Sequence, residues 1–88
     1  MTCEIRPGFL RDVERLGDRR VQAAVHASIE QVQAATTLAD VTQIKKLKGH
    51  GNFFRLRVGH YRLGVEVDRQ TVTFIRCLHR REIYRRFP

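Results

Sequence analysis

Apolar residues recur every three or four positions through the first part of the chain, then at every second position through the last part. The first period is that of a helix with one buried stripe, the second that of strands with one buried face. Residues 2–6 alternate weakly and stop at Pro7-Gly8, which predicts a short first strand. Pro7 suits a first helical turn, where its missing N–H would have had no partner. Phe9, Val13 and Leu16 follow at helical spacing, and Gly17 ends that helix. Asp18 is placed to cap a second helix by accepting from its free backbone N–H groups. Val21, Val25, Ile29 and Val32 form its stripe, flanked by Ala24 and Ser28, with Thr36 and Thr37 closing it. So tight a junction predicts a helical hairpin whose stripes rest on a sheet.

The glycines of Lys48-Gly49-His50-Gly51-Asn52 predict a loop, and period two sets in with Phe53-Phe54-Arg55-Leu56-Arg57-Val58. Gly59-His60 turns the chain. Tyr61, Leu63, Val65 and Val67 then alternate with Arg62, Gly64 and Glu66, and after Asp68-Arg69-Gln70 a third strand runs from Thr71 to Leu78. Turns this short make the three strands antiparallel. The expected fold is α+β, in the order β-α-α-β-β-β. A helical hairpin packs on one face of a mainly antiparallel four-stranded sheet, as a single domain over residues 1–88.

If Phe54, Leu56 and Val58 face the helices, Phe53, Arg55 and Arg57 face away. Tyr61, Leu63, Val65 and Val67 inward put Arg62 outward beside them. The parity of the last strand stays open: either Thr73, Ile75 and Cys77 face inward, leaving Val72, Phe74 and Arg76 with the arginines, or the reverse.

Charge sharpens this picture. The 88 residues carry 17 Lys and Arg against 9 Asp and Glu, a net +8. Residues 1–44 hold 5 basic and 6 acidic side chains, a net −1, whereas residues 45–88 hold 12 and 3, a net +9. A half this basic calls for a polyanion or an acidic protein segment as its complement. Guanidinium forks match phosphate oxygens two at a time, and interleaved aromatics can stack on bases. Alternating arginines can also simply keep a face soluble, but lysine and glutamate more often do that, and acidic residues are scarce here. The stretch His79-Arg80-Arg81-Glu82-Ile83-Tyr84-Arg85-Arg86-Phe87 adds a histidine, four arginines and a tyrosine. Tyr84 is suited to stacking on a base, donating a hydrogen bond or anchoring the tail, and Glu82 to pairing with nearby arginines.

Other chemistries find little footing. Gly49-His50-Gly51 lacks the Lys-Ser/Thr and helix of a phosphate-binding loop. His50, His60 and His79 lack metal-ligand spacing, so no metal and no cofactor are expected. Ser28, on the helical stripe, is the one serine. Cys3 and Cys77 read as two small buried thiols in a reducing compartment, with a disulfide geometrically possible only if first and last strands are neighbours. No apolar run approaches a membrane span, and the opening Met1-Thr2-Cys3-Glu4-Ile5-Arg6 lacks the pattern of a signal peptide. The chain reads as cytosolic.

Three runs together, Ile44-Lys45-Lys46-Leu47-Lys48-Gly49, Phe54-Arg55-Leu56-Arg57-Val58-Gly59-His60-Tyr61-Arg62-Leu63 and Ile75-Arg76-Cys77-Leu78-His79-Arg80-Arg81-Glu82-Ile83-Tyr84, resemble the RelE/ParE toxin superfamily across essentially the whole chain. The resemblance implies a toxin neutralised by an acidic antitoxin that wraps it, with operator DNA contacted only through the toxin–antitoxin complex. RelE-like members cut mRNA on the ribosome; ParE-like members inhibit DNA gyrase without being nucleases. Arg55 and Arg57, then Arg62, then Arg80 or Arg81 with Tyr84, match the RelE-like pattern, which favours the endoribonuclease over a gyrase inhibitor or an inactive antitoxin-binding homologue. By that resemblance Arg57 and Arg62 hold the phosphate, Arg80 or Arg81 protects the leaving oxygen and Tyr84 orients a base. Lys46, Lys48, Arg55, Arg76 and Arg85 complete the RNA-binding surface. RelE proper has lysines where Arg55 and Arg57 stand, and arginine cannot serve as a base. His79, or a less obvious group, is the expected proton acceptor, since histidine is the side chain suited to proton transfer near neutral pH.

Overall fold

The computed structural model describes residues 1–49 and 51–88. His50, at the centre of the expected glycine loop, lies outside the described residues. The elements are β1 (Thr2–Ile5), α1 (Pro7–Leu16), α2 (Arg19–Ala34), a 3-10 turn (Leu38–Asp40), β2 (Ile44–Lys46), β3 (Phe53–Val58), β4 (Tyr61–Asp68), β5 (Thr71–His79) and α3 (Ile83–Arg86). They build one sheet in the order β1-β5-β4-β3-β2.

Both helix junctions form as the residues at them require. Pro7 opens α1, and Gly17 closes it at φ 63°, a left-handed conformation that glycine adopts without strain. The Asp18 carboxylate accepts from the N–H groups of Arg20 at 2.9 Å and Val21 at 3.3 Å, capping α2. The helix stripes then meet the inward side chains of β3, β4 and β5 in a core that includes Phe9, Val25, Val32, Leu56, Leu63, Val65 and Phe74.

The sheet has five strands where the sequence pattern predicts four. The extra one, β2, pairs antiparallel with β3, setting Ile44 opposite Leu56, Lys45 opposite Arg55 and Lys46 opposite Phe54. Three residues with two adjacent lysines show no usable alternation, so the strand arises from an edge that β3 offers, not from local pattern. β1 runs parallel to β5, with the meander of β3, β4 and β5 antiparallel.

Neither parity expected for the last strand holds along its whole length. Val67 opposes Val72 and Val65 opposes Phe74, but Leu63 opposes Cys77. The added residue on β5 is a bulge, which re-aims every side chain after it. Val72, Phe74 and Cys77 therefore all face the helices and are buried. Cys3 and Cys77 sit on neighbouring strands as free thiols; Cys77 is buried and Cys3 only half-buried. Burial pushes the Cys77 thiol up to about 12, with the nearby Asp12 charge adding to it.

The face of the sheet away from α1 and α2 is not bare. The chain after β5 folds back across it, and Leu47, Leu78, Ile83 and Phe87 form a second small core with Phe53 and Ile75 against them. Phe87 lies directly over Gly64, where a Cβ would come within 2.7 Å of its ring. It also meets Phe53 edge to face at 5.5 Å. This tail sets where α3, and with it Tyr84, stands over the sheet.

Candidate nucleic-acid interface

Register decides which cations share a face. Arg57 and Arg62 are directly opposed on β3 and β4, and Arg55 opposes Gly64 on one side and Lys45 on the other. Two like charges directly opposed destabilise a sheet unless something lies between them. Arg62 is steadied by its own turn: one terminal nitrogen donates to the carbonyls of Gly59 and Tyr61, each at 2.9 Å. Burial lowers its pKa, and the positive charges of Arg55, Arg57 and Arg80 push the same way, opposed by Tyr84. The charges of all four are thus felt at one guanidinium.

Tyr84 reaches this face from α3. Its hydroxyl accepts a hydrogen bond from Arg55 Nε at 3.0 Å, while the residue as a whole stays 62% exposed, open to a planar ligand. Beside it lies a cleft of about 320 Å³ lined by Lys45, Lys46, Lys48, Arg55 and Tyr84, with Leu47 and Phe87 as its apolar floor. Cationic walls over an apolar floor suit a nucleotide, its phosphate on the rim and its base within.

The remaining expected site residues stand elsewhere. His79 opposes Tyr61, on the side of the sheet opposite Arg62. Its ring packs edge to face on Tyr61 at 5.6 Å, stacks with His60 at 6.3 Å and accepts from the Arg81 N–H at Nδ1. The structure does not bring it to the arginine face: the extra residue between Phe74 and Arg76 reverses the alternation set by the first half of β5 and turns His79 to the helix side. Arg76 is also taken up elsewhere. Its Nε and a terminal nitrogen donate to Asp12 at 2.7 and 3.2 Å, and the same carboxylate accepts from the Cys77 N–H at 2.9 Å. Burial of Asp12 would raise its pKa, but the hydrogen bonds from Arg76 and Cys77 and the Arg76 charge hold it below the usual carboxylate range. Arg85 pairs with Glu82 at 2.9 Å on the exposed side of α3. Arg80 and Arg81 are both exposed, and of the two it is Arg80 whose charge is felt at Arg62.

Lys45 belongs on the arginine face and was not expected there. Its signal was present in the run Ile44-Lys45-Lys46, but only a strand with known register assigns Lys45 to that face and Lys46 to the side of Phe54. Among the described residues, no group of three His, Cys, Asp or Glu side chains converges as metal ligands would.

Over residues 3–84 the chain matches the model of a family described as the ParE toxin of the type II toxin-antitoxin system, parDE. It is 40% identical over 81 residues to Toxin RelE3 of Methanocaldococcus jannaschii, covering 91% of each chain. It superposes on the toxin fold in the RelB-RelE antitoxin-toxin complex from Methanococcus jannaschii with a TM-score of 0.80 and 35% identity, covering 97% of this chain and 99% of that one. The toxin-antitoxin complex RelBE2 from Mycobacterium tuberculosis gives a TM-score of 0.67 at 27% identity, covering 89% and 95%. With both the fold and the sequence matched nearly end to end, the chain belongs to the RelE/ParE superfamily of type II toxins.

Proposed function

We propose that the chain is a RelE-like endoribonuclease that cuts mRNA on the ribosome, by a metal-independent transphosphorylation. The observation that carries this reading is the opposed pair Arg57 and Arg62, with Arg55 and its partner Tyr84 beside them on one rigid face. The ribose 2′-oxygen attacks the adjacent phosphorus, the bond to the 5′-oxygen breaks, and the products are a 2′,3′-cyclic phosphate and a free 5′-hydroxyl. Arg57 and Arg62 hold the non-bridging oxygens as negative charge builds on them. Arg80 faces the departing oxygen, which takes its proton from water. Tyr84 stacks on a base beside the scissile linkage, its orientation fixed by Arg55. The 2′ proton leaves to water, and rate enhancement rests on position and charge. Lys45 and Lys48 hold the neighbouring phosphates.

The antitoxin complexes among the structural relatives support a cognate antitoxin, and the charge of this face makes an acidic segment its complement. Operator DNA is met only through that complex. Among the described residues no helix is long and apolar enough to cross a membrane, which fits a site of action at the ribosome in the cytoplasm.

A ParE-like gyrase inhibitor is the second reading, favoured by the description of the matching family. Pulse expression separates the two. Immediate loss of translation with intact DNA supports the nuclease, and a DNA-damage response with translation continuing supports the gyrase inhibitor.

A further inference from the structure

A second set of arginines lies at the opposite edge of the sheet, unused by the site above. β1 covers β5 only as far as Phe74. Beyond that point Arg6, Arg11, Arg15 and Arg76 line a cavity of about 410 Å³ around Asp12. Asp12 is already committed, since its carboxylate serves Arg76 and the Cys77 N–H. Arg6, Arg11 and Arg15 are exposed, and among the described residues none has an ion-pair partner. Arg11 and Arg15 are one helical turn apart, a spacing at which like charges weaken a helix. A rise of about 6 Å separates them, close to the step between successive phosphates of a nucleic-acid strand. With Asp12 given to Arg76, the Arg11 and Arg15 guanidiniums on this helix of ten residues are left open to an anion from outside.

What kind of anion follows from what the cavity lacks. Ile75 is the one aliphatic side chain on its lining, and no aromatic ring is present to stack on an unpaired base. The apolar groove a protein partner would seek lies instead on the other flank of α1, where Leu10, Val13 and Ile5 face Val25 and Ile29. Three strand spacings, about 14 Å, separate this edge from the cleft beside Tyr84, so both cannot hold one phosphodiester. A duplex presents phosphates without presenting bases, and guanidinium forks read it by shape and charge.

We infer that Arg6, Arg11 and Arg15 form a separate docking surface for the sugar–phosphate backbone of double-helical RNA. The inference concerns binding and stands whether or not the sheet face cuts RNA.

The test uses the full chain and a fluorescent RNA duplex of about 16 base pairs, its 2′-hydroxyls methylated so that no cleavage can occur. Affinity is measured against salt for the native chain, for R6Q/R11Q/R15Q, and for R19Q/R20Q/R69Q, which removes equal charge from exposed positions elsewhere. The first variant should bind at least 10-fold more weakly at 0.1 M salt, with a salt slope shallower by about 2–3. The control should keep most of the native affinity, and both variants should keep native circular dichroism. Equal losses in the two variants would show a net-charge effect and overturn the proposal. Unchanged duplex binding in the first variant would also overturn it, as would a loss confined to binding of an acidic peptide.

Discussion

Replacing Gly64 by alanine tests how the tail is held over the sheet. The backbone at Gly64 is ordinary extended strand, so a side chain there meets no conformational strain. What it meets is the Phe87 ring, 2.7 Å from the new Cβ. Overpacking of this kind costs about 1–3 kcal/mol. Alanine in a strand regains about 0.5–1 kcal/mol over glycine by restricting the unfolded chain. At mid-range values the clash wins by about 1 kcal/mol, a fall in Tm of about 4–8 °C for a domain of this size. Urea denaturation of four proteins completes the cycle: native, G64A, F87A and G64A/F87A. Phe87 is 5% exposed, so F87A alone should cost about 3 kcal/mol. In its background G64A should be neutral or mildly stabilising, because the ring it strikes is gone. Because Ile83 and Phe87 also fix α3, G64A should weaken the hold of Tyr84 on RNA. A native-like stability for G64A, or the same cost in both backgrounds, would refute the packing argument.

Asp12 ties α1 to β5, and D12N should destabilise the fold by about 2–3 kcal/mol at pH 7. The folded-state pKa lies below the unfolded one, so the native chain holds this stability above the unfolded carboxylate pKa of about 3.9 and loses it as pH falls further. Stability of D12N measured from pH 7 to pH 2 should show a correspondingly flatter acid limb; an unchanged slope would contradict the assignment. The raised pKa and burial of Cys77 predict that iodoacetamide at pH 8 modifies Cys3 first and reaches Cys77 only through unfolding, as mass spectrometry with and without urea would show. Y84A should weaken binding of single-stranded RNA by about 5- to 150-fold through lost stacking, whereas Y84F, which keeps the ring, should cost less than about 10-fold. Equal losses in the two would mean that the hydroxyl, not the ring, matters.

Much of this architecture is written in local pattern. Gly17 and Asp18 mark the break between α1 and α2 because each acts through its own backbone or cap, and Arg55, Arg57 and Arg62 share a face because β3 and β4 alternate without interruption. What eludes the pattern depends on distant partners. The bulge at Ile75-Arg76 exists because Arg76 and the Cys77 N–H turn to Asp12, some 64 residues away in sequence, and that single event moves His79 off the expected face. β2 exists because β3 offers it an edge, and only then does Lys45 have a direction. The cover over the far face depends on Phe87 finding Gly64, the one glycine within the described strands, an encounter that neither residue announces.

The central claim is that Arg57 and Arg62 clamp one scissile phosphodiester. Its most direct test is to incubate purified native, R57A, R62A and R19Q proteins with a translated message, with and without ribosomes, and to sequence the new ends and determine their chemistry. The account predicts fragments ending in 2′,3′-cyclic phosphate and 5′-hydroxyl from the native chain and R19Q. It predicts rates about 100- to 1,000-fold lower for R57A and R62A, both still folded. Undiminished cutting by R62A, or no cutting by the native chain on ribosomes, would contradict it.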